Sequence, residues 1–121
     1  MIKEYPRIPR NALYCREDDA LQTFSEIDSP NAVHAISFED QQIIMNWVKE
    51  LEPMKTMNRN HTSYSLKSIF EKSENGFYIS NGVMKEILYL MGFVSGNQQD
   101  LNWNFNVSEK SVQALKAKNK L

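Results

Sequence analysis

Both ends of a short helix are written into the residues from Ile79 to Phe93, Ile-Ser-Asn-Gly-Val-Met-Lys-Glu-Ile-Leu-Tyr-Leu-Met-Gly-Phe. Ser80 is an N-cap residue, Ile79 and Met84 hold the two positions of a hydrophobic staple, and Gly92 can take the left-handed conformation that closes a helix. Between those ends Val83, Met84, Ile87, Leu88, Leu90 and Met91 form a broad apolar face. Asn81, Gly82, Lys85, Glu86 and Tyr89 are left for the outside. What that outer face meets decides what such a helix does.

The rest of the chain is long enough to give the helix a core. A chain of 121 residues suits one domain, which buries roughly two thirds of the surface exposed by its unfolded form. Cys15 is the single cysteine, so no internal disulfide is available and nothing calls for an oxidising compartment. The first residues mix charge with proline (Lys3, Glu4, Pro6, Arg7, Pro9, Arg10) and no apolar run follows. Neither a secretory signal nor a membrane span is expected, and the cytoplasm is the default location.

The formal net charge of -1 argues against a uniformly basic surface. Its distribution is uneven. Met1 to Arg16 carries +3, Glu17 to Asp40 holds seven acids with no lysine or arginine, and the remainder returns to +3. Residues 1–36, interrupted by Pro6, Pro9 and Pro30, read as an irregular extension whose second half is acidic.

Ser37 opens the next helix, with Ile44, Trp47, Val48 and Leu51 on one face and Pro53 as its stop. Lys55 to His61 is a polar, basic connection. A further helix runs from Thr62 or Ser63 to Ser73, with Leu66, Ile69 and Phe70 inward and Asn75-Gly76 as its end. Beyond the Ile79–Phe93 helix, Leu101, Trp103, Phe105 and Val107 alternate strictly with Asn102, Asn104 and Asn106, the pattern of a half-buried strand. Paired with Gly92 to Ser95 it makes a β-hairpin. Ser108 can cap a last turn or two, and residues 109–121 form a basic tail.

Three helices followed by a hairpin is the order of a winged helix. The expected fold class is therefore α+β: a small winged-helix-like domain over residues 37–108. In that architecture the third helix enters the major groove. Asn81, Lys85 and Tyr89 are then the base-side candidates, Asn pairing with adenine and Lys with guanine or phosphate, and Gly82 lets the helix end approach a phosphate. Lys55, Arg59, His61, Ser63, Lys67 and Lys72 flank it, and Asn102, Asn104 and the terminal lysines lie on the wing side.

Catalytic chemistry has no comparable signature. His34, His61 and Cys15 lack zinc-site spacing, and the four glycines each fall at a cap, helix start or turn rather than in a phosphate loop. No enzyme, metal or cofactor is expected, and both histidines read as loop residues.

From Thr62 onward the chain resembles a family of small proteins from bacterial phages and other mobile elements. The likeness rests on Ser63-Tyr64-Ser65-Leu66-Lys67, Phe70-Glu71, Gly76-Phe77-Tyr78-Ile79-Ser80-Asn81-Gly82, Lys85, Gly92-Phe93 and Asn102-Trp103-Asn104-Phe105-Asn106-Val107-Ser108. It covers the C-terminal half, looks like a winged-helix-type module and carries no activity to transfer. A mobile-element setting implies two partner classes. One is double-stranded DNA, bound by a regulator or replication accessory that can be a dimer. The other is a host or phage protein, bound by an inhibitor or adaptor such as an anti-CRISPR factor, whose acidic residues Glu17, Asp18, Asp19, Glu26 and Asp28 occupy a basic channel on the partner.

Overall fold

The computed structural model describes residues 27–119. They form a 3-10 helix, Pro30–Ala35, and four α-helices: α1 Phe38–Val48, α2 Ser63–Glu71, α3 Asn81–Leu90 and α4 Glu109–Lys118. Each α-helix starts where a serine or threonine side chain takes the place of the missing backbone acceptor. Ser37, Thr62, Ser80 and Ser108 accept from the N–H groups of Asp40, Ser65, Val83 and Ser111 at 3.1–3.3 Å. Gly92 closes α3 with φ 94°, the left-handed conformation expected of it. Boundaries shift elsewhere: α1 stops at Val48, with Leu51 buried just past its end, and α4 is a full helix that buries Val112 and Leu115.

The helix α3 is the centre of the molecule. It packs against the 3-10 helix, α2 and α1, and all residues from Asn81 to Leu88 are buried. Around it the core continues through Trp47, Phe70 and Phe77, whose rings meet edge-on at centroid distances of 5.6 and 5.3 Å. The last part of the expected extension packs on this helix: the 3-10 helix lies on α3, with Ala32 and Val33 in the core.

The α+β winged-helix expectation is wrong, because no β-strand exists among the described residues. The alternation of residues 101–107 is present, with Trp103, Phe105 and Val107 fully buried, yet the segment makes only isolated antiparallel bridges, Pro53 to Val107, Thr62 to Asn104 and Ser95 to Phe105. On one side, the chain advances nine residues between two bridges that are three residues apart on its partner. A ladder cannot propagate through such a bulge. Asparagine side chains supply the missing partners. Asn104 Nδ2 donates to the carbonyls of Asn58 and His61 at 2.9 and 3.2 Å, and Asn106 donates to Met54 O at 3.0 Å while accepting from Val94 N at 2.7 Å. The polar face of the supposed wing is thus tied to neighbouring backbone and is not a solvent edge.

Two substitutions test this packing. A Cβ on Gly82 would stand 1.8 Å from the carbonyl oxygen of Ser29, so Gly82→Ala, which gains about 0.5–1 kcal/mol in an unhindered helix, should instead cost about 1–3 kcal/mol in urea unfolding. Trp103→Ala should cost about 3–5 kcal/mol by the same measurement, since its ring is fully buried and its Nε1 donates to Asp100 O at 2.9 Å.

Candidate functional site

Of the three residues assigned to base reading, Asn81 and Lys85 are buried and Tyr89 is exposed. Asn81, the first residue of α3, accepts from Ser63 Oγ at 2.7 Å, and its Nδ2 reaches Asn102 Oδ1 at 2.9 Å, Leu101 O at 3.2 Å and Asp28 Oδ1 at 3.3 Å. Lys85 is 0% exposed, as is its neighbour Glu86. Its ammonium donates to the carbonyl of Asp28 at 2.6 Å and lies over the Trp103 ring, 4.7 Å from the centroid. The expected outer face of α3 is an inner one: only Tyr89 and Leu90, at its C-terminal end, are exposed. Gly82 admits the Asp28–Ser29 backbone where a phosphate was expected. A helix enclosed in this way cannot enter a groove.

Burial of Lys85 carries an energetic consequence. Desolvation, partly offset by the Asp28 carboxylate, brings its pKa from 10.5 down to about 8. The unfolded chain then binds more protons than the folded one between those two values, so this lysine weakens the fold below pH 8 and the penalty vanishes as pH rises toward 10.5.

The other candidates separate. Lys55 and Arg59 are exposed on the connection between α1 and α2, and Asn102 and Asn104 are half-buried and occupied with the bonds above. Asp28 is buried, so it is no displayed acid. Glu17, Asp18, Asp19 and Glu26 lie outside the described residues.

Lys67, Asn81 and Asn102 do come together. They line one open cavity of about 370 Å³ with Tyr64 and Tyr78. Tyr64, in the first turn of α2, is 54% exposed, and Tyr78, in the connection to α3, is 73% exposed. The ammonium of Lys67 lies over both rings, 5.2 and 5.0 Å from the centroids. Its carboxylate partner Glu71, at 2.9 Å, also accepts from Ile79 N at 3.0 Å and so fixes the connection that carries Tyr78. Neither tyrosine was singled out from the sequence. The signal was available: Tyr64 falls opposite the Leu66, Ile69 and Phe70 face of its helix, and Tyr78 stands outward between two inward residues.

A second polar cluster joins α2 to α4. His61 is buried, with Nδ1 2.8 Å from Ser65 Oγ and Nε2 3.1 Å from Glu109 Oε2. Glu109 also accepts from Gln113 at 2.6 Å and from Asn58 at 3.1 Å. Hydrogen bonds from Gln113, then Asn58 and His61, hold its carboxyl down to about 2, although burial opposes them. The expectation that His61 is a loop residue missed this, because its partners lie four and 48 residues away. An open cavity of about 430 Å³ adjoins the cluster, lined by Tyr64, Ser65, Ser68, Ile69, Lys72 and Lys116 as well as His61.

Among the described residues no group of three His, Cys, Asp or Glu side chains could hold a metal ion, and no helix is long and apolar enough to cross a membrane. No protein-family model, curated protein or solved structure matches this chain.

The buried lysine gives a direct test. Unfolding free energy should rise between pH 8 and pH 10.5 by on the order of 3 kcal/mol more in the natural chain than in Lys85→Met, which removes the ammonium but keeps the stem. Equal pH slopes for the two proteins would show that the lysine is not desolvated.

Proposed function

We propose that the chain binds single-stranded nucleic acid, with Tyr64 and Tyr78 as stacking platforms and lysines as phosphate contacts. The observation that carries this reading is the pair of exposed tyrosine rings, both close to the Lys67 ammonium, beside a largely apolar cavity whose lining includes Asn81 and Asn102. A tyrosine ring, with only two side-chain torsions, loses little entropy on stacking a base, and an aromatic surface with nearby cations follows a strand without needing a sequence. Lys72 and Lys116 extend positive charge along the other side of Tyr64. The near-neutral net charge fits modest electrostatic attraction with a large stacking share. This reading replaces duplex recognition by α3, whose candidates Asn81 and Lys85 are internal.

A second reading, docking of a protein partner, is favoured by another observation. Tyr89, Leu90 and Val94 are exposed around the turn at Gly92, apolar surface that the nucleic-acid reading does not use.

Fluorescence anisotropy with a short labelled oligothymidylate tests the first reading. Tyr78→Ala and Tyr64→Ala should each weaken binding about 5- to 150-fold, the equivalent of about 1–3 kcal/mol per stacked base. Lys72→Glu with Lys116→Glu should flatten the salt dependence. Absence of binding at low salt, or tyrosine variants that bind like the natural chain, would leave the protein-partner reading.

A further inference from the structure

The cluster of His61, Ser65 and Glu109 has a proton arrangement that follows from its geometry. Glu109 is ionised and can only accept hydrogen bonds, so the 3.1 Å bond to His61 requires a proton on Nε2. In the tautomer with its one proton on Nε2, Nδ1 carries the lone pair and accepts from the hydroxyl of Ser65, 2.8 Å away. A serine hydroxyl donating to an imidazole nitrogen, with the opposite ring nitrogen donating to a carboxylate, is the arrangement that activates a nucleophile.

Structural duty explains part of the cluster. Asn58 and Glu109 fasten the connection between α1 and α2 to the start of α4, through Asn58 Nδ2 to Val107 O at 3.1 Å and to Glu109 Oε1 at 3.1 Å. The Ser65 hydroxyl adds nothing to that fastening. It joins only His61, four residues away on the same segment, and makes no other hydrogen bond among the described residues. It lies at the wall of the 430 Å³ cavity between α2 and α4, which has Tyr64 and Ile69 for an apolar group and the ammonium groups of Lys72 and Lys116 for negative charge.

We propose that Ser65 is a nucleophile, His61 its general base and Glu109 a positioning carboxylate, and that together they hydrolyse a small carboxylic ester bearing an anionic group. Ser65 Oγ bonds to the ester carbonyl carbon as its proton passes to His61 Nδ1. The C–O bond to the alcohol breaks, and the alcohol oxygen takes that proton away. Water then attacks the acyl-serine, its proton passing to Nδ1 and on to Ser65 Oγ as the carboxylic acid leaves. The balance is ester plus water giving acid plus alcohol, with no oxidant or metal consumed. Lys72 and Lys116 face the charge of the tetrahedral intermediate and of the anionic substituent. The sequence expectation of no enzyme treated His61 as an isolated loop residue; folding gives it both partners.

The experiment uses the full chain with a fluorophosphonate probe, and with mono-p-nitrophenyl succinate beside p-nitrophenyl acetate. Labelling should map to Ser65 by peptide mass spectrometry, and the succinate ester should be preferred in kcat/KM by about tenfold or more, the equivalent of about 1.4 kcal/mol. Ser65→Ala should abolish labelling and turnover with an unchanged circular dichroism spectrum, and His61→Ala should lower kcat by about 10²–10⁴-fold. Glu109→Gln should lower kcat at constant KM, with Glu109→Asp recovering part of the loss, a split that a purely structural role would not produce. Should Ser65→Ala fail to fold, Ser65→Cys should react with iodoacetamide faster than the same variant carrying His61→Ala. No labelling of Ser65, turnover that survives Ser65→Ala, or a Glu109→Gln enzyme with natural kcat would overturn the proposal. Equal thiol reactivity with and without His61 would do the same.

Discussion

Enclosure of α3 depends on one close approach, the backbone of Asp28 and Ser29 lying directly on Gly82. Any side chain at position 82 would hold that segment off. With it seated, the Asp28 carbonyl reaches the Lys85 ammonium at 2.6 Å, the Asp28 carboxylate reaches Asn81 at 3.3 Å, and the 3-10 helix Pro30–Ala35 completes the cover. A buried lysine is costly unless it is hydrogen-bonded. Here the carbonyl and the carboxylate of Asp28 and the face of Trp103 share the compensation, so residues on either side of α3 in sequence meet at its ammonium. A helix held in this way is a structural axis, and the surfaces available for function are those of the elements around it.

Outside α3, asparagine does much of the work that a sheet ladder would do. Asn102, Asn104 and Asn106 alternate along residues 101–107 and bind α3, the connection before α2 and the turn after α3 respectively. Side-chain amides tolerate a bulged neighbour that backbone pairing does not, since they can reach past an offset in register. The arrangement fixes an irregular connection of ten residues against the core without any strand. That fixation sets the position of His61 and the start of α2.

Both candidate sites open from the first turns of α2. Tyr64 and Lys67 face the connection to α3, where Tyr78 stands; Ser65 and His61 face α4, where Glu109 and Lys116 stand. Neighbouring residues on a short helix point to different cavities because successive positions are rotated by about 100°. Tyr64 lines both cavities, so a ligand in one touches the wall of the other.

Local signals were legible in the residues. Ser37, Thr62, Ser80 and Ser108 mark the helix starts because capping involves only a few consecutive residues, and Gly92 marks an end for the same reason. The inward set of Trp103, Phe105 and Val107 was equally visible from its period of two. Periodicity misassigned Lys85, Glu86 and Asn81 to solvent, because hydropathy places polar residues outside unless distant groups satisfy them; for Lys85 and Asn81 those groups lie at Asp28, Ser63 and Leu101–Asn102. It also took an alternating segment for a hairpin strand, since alternation describes faces and says nothing of how many residues the neighbouring chain inserts between bridges. The sequence by itself determined where the helices begin and most of the apolar residues that fill the core, through short-range capping and apolar spacing, though it also placed the exposed Leu90 there. Only the tertiary structure decided that the central helix is buried all round from Asn81 to Leu88 and that His61 and Ser65 meet Glu109, because those outcomes depend on contacts between residues tens of positions apart.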